Sequence, residues 1–122
     1  MPEVPIINYV RRVKEIKDVH DGDTYRLLID QGVGDYRDLW VRLRNIDTWE
    51  LNNPDGSGIV ARDGLDVYLR SAKEIIIQTF KTRAGAGEDL MTFIRYVADI
   101  WVDGIFLTDW IKQNHPEYIK QI

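Results

Sequence analysis

Two aspartates, Asp23 and Asp47, stand at the ends of two alternating runs within the stretch from Val19 to Glu50. Asp23 opens the run Tyr25 to Gln31, and Asp47 closes the run Leu39 to Asn45. Side chains of equal parity share a strand face, so Asp23 falls in the row of Tyr25, Leu27 and Ile29, and Asp47 in the row of Leu39, Val41 and Leu43. Each carboxylate extends an apolar row. If both rows face one core and the strands pair antiparallel, the start of the first and the end of the second meet at one rim. Two like charges held together need a proton or a cation. Two hard carboxylates beside a threonine suit an oxygen-loving metal such as calcium or magnesium.

The elements that must position these acids are short. Residues 6–18 read as a strand with a solvated face bearing Arg11, Arg12, Lys14 and Lys17. His20-Asp21-Gly22-Asp23 is a hairpin turn, because Asp-Gly supplies the backbone freedom such a turn requires. A strand from Tyr25 to Ile29 follows, then a glycine-rich reversal through Gly32 and Gly34, then a third strand from about Asp38 to Asn45. After Glu50 the segment LNNPDGSG is a loop. A helix is expected over about Ala61 to Ala72, with Leu65, Tyr68, Leu69 and Ala72 on one face and Gly64 in its first turn.

Glu74 to Phe80 reads as a fourth strand, KTRAGAG as a turn, and Met91 to Val102 as a fifth strand closed by Asp103-Gly104. A second helix runs from about Leu107 to Asn114 and stops near Pro116. The order β-β-β-α-β-β-α is that of an all-β barrel with helices (α+β): a five-stranded Greek-key barrel of the oligonucleotide-binding (OB-fold) type.

Composition narrows the function. A chain of 122 residues, 44% hydrophobic, fits one domain spanning 1–122. With no cysteine, thiolate chemistry is excluded, and with only His20 and His115, far apart in sequence, a multi-histidine metal site is not expected. A net charge of −4 argues against passive binding of nucleic acid through a broad basic surface. It leaves room for an enzyme that grips one phosphate through a metal and a few arginines. The apolar runs are too short to span a bilayer and no export signal opens the chain, so a cytoplasmic protein without membrane contact is expected, as monomer or small homo-oligomer.

Four blocks then carry a family likeness: Asp21-Gly22-Asp23-Thr24, Val41-Arg42-Leu43, Ile46-Asp47-Thr48-Trp49-Glu50, and Arg95 to Gly104. In this order and spacing the chain resembles the staphylococcal nuclease (thermonuclease) family over roughly Val13 to Ile111. The resemblance implies a calcium-dependent phosphodiesterase that cleaves DNA and RNA with little sequence selectivity. It implies that Asp23 and Asp47 ligate calcium through their carboxylates and Thr48 through its backbone carbonyl. It further implies that Glu50 acts as general base or orients the attacking water, and that Arg42 and Arg95 hold the scissile phosphate. Trp49 stands where most relatives have proline, and Thr92, Phe93 and Ile94 precede Arg95 where relatives commonly have lysine, an aromatic and glycine.

The alternatives are a barrel of the same kind that binds single-stranded nucleic acid or a protein without cutting, and an accessory domain that uses calcium for stability. For the remaining groups the plainer assignments are expected. Asp21 is structural, Arg44 is exposed, and Trp40, Trp101, Trp110 and Tyr68 are core. Tyr118 and His20 are weaker candidates for substrate contact, and an ion pair with Asp99 is the plainer assignment for Arg95.

Overall fold

The computed structural model describes residues 3–4, 8–81 and 96–120. Its first strand, β1 (Val10–Asp21), buries Val13, Ile16 and Val19, a spacing of three where a flat strand would show two. The cause lies in its pairing with β2 (Thr24–Gly32), where the register shifts at three places, between Val13 and Glu15, Ile16 and Asp18, and Val19 and Asp21. Each irregularity bends and twists the strand. Such bending lets so short a sheet curl until its edges meet.

The β2 strand keeps the regular alternation, burying Tyr25, Leu27 and Ile29, and Asp23 continues that row as the parity predicts. It pairs antiparallel with β3 (Asp35–Leu43). After α1 (Ser57–Arg70), β4 (Ile75–Lys81) returns beside β1, and β5 (Tyr96–Val102) pairs with β4. Closure comes from β5 lying parallel to β3, with Val41, Arg42 and Leu43 opposite Tyr96, Val97 and Ala98. The five strands thus form a closed barrel, with the two-residue β6 (Ile105–Phe106) appended to β5. The helix α2 (Leu107–Asn114) and a 3-10 turn (Pro116–Tyr118) follow. The expected barrel of the OB type with two helices is what the chain adopts. No helix among the described residues is long and apolar enough to cross a membrane.

Tyr25, Leu27, Leu43, Ile77 and Ile100 fill the barrel, and Leu65, Leu107 and Ile111 cover it from the helices. The first helix starts at Ser57, ahead of the expected Ala61, because Gly56 turns the chain with φ 79° and Gly58 presses against the Glu50 carbonyl. A β-carbon at Gly58 would collide with that backbone. Gly64 therefore lies mid-helix, where its missing side chain admits the Tyr118 hydroxyl. The third strand ends two residues earlier than expected, at Leu43.

In the β2–β3 turn, Val33 has φ 49° and Gly34 φ 76°, the left-handed pair that a two-residue hairpin favours. A β-branched residue is strained there, and Val33 is fully exposed. Replacing Val33 by Asn is expected to stabilise the fold by about 1 kcal/mol, read as a higher urea midpoint with unchanged slope.

Candidate metal and phosphate site

The acids come together by two routes, one foreseen and one not. Asp23 belongs to the inward row of β2 and is 6% exposed. Asp47 does not extend the row of Leu39, Val41 and Leu43. The strand has ended, Asn45 turns the chain with φ 62°, and the parity reverses, so that Ile46 and Thr48 are buried while Asp47 is exposed. A turn residue tolerant of the left-handed region, not strand alternation, delivers Asp47 to the rim.

Around Asp23 the hydrogen bonds are nearly complete. One carboxylate oxygen accepts the Thr48 backbone N–H at 3.2 Å, and the other accepts the Thr24 hydroxyl at 3.2 Å. The Asp23 N–H donates to Asp21 at 3.1 Å, fixing the turn. Gly22 lets this turn seat on the next loop, since a β-carbon there would lie 2.6 Å from the Thr48 hydroxyl oxygen. Arg42, opposite Thr24 across the β2–β3 ladder, bridges the acids. Its Nη2 pairs with Asp47 and stands 3.8 Å from Asp23. Four expected site residues, Asp23, Arg42, Asp47 and Thr48, thus meet at one rim.

Burial pushes the Asp23 carboxyl up to about 7, helped by its hydrogen bond with Asp21 and that neighbour's charge, while the Thr48 N–H and Arg42 pull the other way. The folded chain therefore keeps a proton that the unfolded chain has lost between about pH 4 and 7. Stability without metal should fall as pH rises through that window and level off above it. Urea unfolding with chelator from pH 4 to 8 checks this, and Asp23→Asn should flatten the slope. Because a cation needs the carboxylate form, calcium affinity should rise across the same window.

The donors suit a hard cation. All are oxygens, two are carboxylates, and the buried Thr48 hydroxyl oxygen has no hydrogen-bond partner. The Thr48 carbonyl also stays out of the local ladder. The bridge between Thr48 and Ile119 uses the Asp47 carbonyl, which accepts from Lys120 N–H at 2.8 Å, and the Trp49 N–H, which donates to Tyr118 at 3.2 Å. Among the described residues, however, no group of three or more His, Cys, Asp and Glu side chains is placed to hold a metal.

Glu50 takes another partner. Its carboxylate is exposed and lies 3.7 Å from the Lys120 ammonium. The backbone beneath it is held by Gly58 of α1 and by the Asn53 N–H, which donates to the Glu50 carbonyl at 3.1 Å. Arg95 lies outside the described residues. Asp99, the acid considered for it, pairs with Arg44 at 3.4 Å, and Arg44 also covers the Phe80 ring at 4.5 Å. Arg44 is therefore half-buried and structural, not a plain exposed arginine.

Trp40, Trp101 and Trp110 are half-buried, short of full core, and Trp110 stacks on half-buried Tyr68 at 3.8 Å. Tyr118, considered for substrate contact, is buried and stacks on His115 at 4.4 Å. His20 sits edge-on to Trp40. Sequence reasoning missed the brace formed by residues 117–120 on the 47–50 loop, which shows in sequence only as isolated apolar residues after a proline.

Set beside known proteins, the chain matches no protein-family model, and a search of curated proteins finds no match. What is established is the architecture: a closed five-stranded barrel of the OB type whose rim gathers two carboxylates, an arginine and a buried threonine.

Proposed function

We propose that the chain is a calcium-dependent nuclease of the staphylococcal nuclease family, hydrolysing phosphodiester bonds of DNA or RNA with little sequence selectivity in the cytoplasm. The observation that carries this is the meeting of Asp23, Arg42, Asp47 and Thr48, drawn from three separated segments, at one end of the barrel. Asp23, Asp47 and the Thr48 carbonyl would hold the cation, which when bound supplies Lewis-acid polarisation of a phosphate oxygen.

The protein's own groups do the rest. Glu50, three residues past Asp47, accepts a proton from the attacking water. As the new oxygen–phosphorus bond forms, the bond to the leaving oxygen breaks, and that oxygen takes up a proton from solvent. Arg42, half exposed, turns from Asp47 to donate two parallel hydrogen bonds to the phosphate, with Arg95 as the second such donor. Arginine serves better than lysine here because its planar fork matches two phosphate oxygens.

Single-stranded DNA should be cut with calcium, left intact with chelator, and cut about 10²- to 10⁴-fold more slowly by Glu50→Gln. A second function has support in the pairing of Glu50 with Lys120. On that view the barrel binds single-stranded nucleic acid or a protein without cutting. Calcium-independent binding of an oligonucleotide, with no cleavage under any metal, would establish it and remove the nuclease.

A further inference from the structure

A groove of about 310 Å³ opens beside the rim, lined by Trp49, Glu50, Asn52, Asn53, Pro54 and Lys120. We propose that this groove seats one nucleobase of a single-stranded nucleic acid, adjacent to the phosphate that Glu50 and Arg42 would serve. The identity of the polymer rests on the nuclease proposal; the groove's geometry does not.

Position is the first argument. The Lys120 N–H holds the Asp47 carbonyl at 2.8 Å, so the groove begins at the edge of the acid pair. Glu50 is three residues from Asp47, a span of at most about 10 Å even when extended. A nucleotide next to a phosphate at the acids is within reach of this groove.

Chemistry is the second. An unpaired base is recognised by a flat apolar face for stacking and by mixed donors and acceptors for its edge. Trp49 supplies an indole face. Asn53 spends its amide nitrogen on the Ser57 hydroxyl at 2.7 Å, leaving its carbonyl oxygen, while the exposed Asn52 carboxamide offers both a donor pair and an acceptor. Lys120 adds a cation at the edge, suited to the neighbouring phosphate. By contrast the groove of about 300 Å³ between β1 and α1 has Lys14, Arg70 and Lys73 but no aromatic wall.

The third argument is rigidity. The Trp49 indole N–H donates to the Glu117 carbonyl at 3.0 Å and its backbone N–H to the Tyr118 carbonyl, so the ring and the main chain beneath it are each tied to the tail by one bond. The Asn53 and Gly56 N–H groups close the loop on the Glu50 and Asn53 carbonyls at 3.1 and 3.0 Å. A wall held in place loses little freedom when a base arrives. At this volume, the lower end of small-ligand sites, the groove is large enough for one base.

The test uses the full chain carrying Glu50→Gln, labelled with ¹⁵N, in calcium. Its four tryptophans give four indole N–H signals, and the one lost in the Trp49→Phe variant belongs to Trp49. Titration with a four-residue oligothymidylate should shift that signal selectively. An abasic oligomer of equal charge should bind about tenfold more weakly and leave the Trp49 signal in place. Equal shifts with both oligomers, binding that moves other signals but not Trp49, or no binding at millimolar oligomer would each overturn the groove. Cleavage by the parent chain is measured separately. A chain that shifts at Trp49 but never cuts keeps the groove and loses the nuclease, and one that cuts without the shift does the reverse.

Discussion

Replacing Arg42 by alanine is expected to slow cleavage about 10²- to 10³-fold while calcium binds as tightly as in the parent chain, or up to about tenfold tighter. The opposite signs follow from where the guanidinium stands. Its Nη2 pairs with Asp47 and lies 3.8 Å from the nearly buried Asp23, so it neutralises the same two acids a cation would bind. Without it the acids repel and the demand for another positive charge rises. During the reaction the same group must stabilise charge gathering on phosphate, a role that calcium alone does not fill. Calorimetric titration with calcium, paired with rates on a single-stranded oligonucleotide, separates the two effects. Arg42→Lys should keep the charge but recover only part of the rate, because an ammonium lacks the fork. If affinity and rate both fell in Arg42→Ala, the arginine would be holding the loop together and not serving the phosphate.

The largest effect on stability is expected at Tyr118, where truncation to alanine should cost about 3 to 5 kcal/mol. This side chain is 6% exposed, stacks on His115, and places its hydroxyl in the notch left by Gly64. Its backbone carbonyl accepts the Trp49 N–H, and the neighbouring Lys120 N–H holds the Asp47 carbonyl. Loss of the ring therefore loosens the brace on the loop that carries Asp47, Thr48 and Glu50. Urea unfolding should show the full loss, and calcium affinity should weaken in parallel. Gly64→Ala tests the same contact from the other side, since its β-carbon would collide with the Tyr118 hydroxyl. Adding Tyr118→Phe should recover only part of that loss, because the ring carbon Cζ would still lie 2.9 Å away. A Gly64→Ala chain as stable as the parent would show that the tail does not pack against α1 as described.

The barrel was legible because its signals are local and redundant. The row Tyr25, Leu27, Ile29, the Val33-Gly34 and Asp103-Gly104 turns, and the stripe through Leu65 and Leu69 each point to one element, and their order permits few topologies. Asp23 could be placed for the same reason, since the period of the strand carries it inward with the apolar row. Element ends were less legible. The bulges of β1 turn a period of two into three, and the early start of α1 depends on Gly58 meeting a backbone carbonyl from another segment.

The sequence by itself determined that this is a small barrel with two helices, that Asp23 faces inward, and that no cysteine chemistry is at hand. Only the tertiary structure decided that Asp47 reaches Asp23 through the turn at Asn45, that Arg42 lies between them, and that Lys120 stands beside Glu50. The division has a physical cause. Periodicity and turn residues act between neighbours in the chain, whereas the meeting of residues 23, 42, 47 and 120 depends on barrel closure and on the docking of the tail. No short stretch of sequence contains those two events.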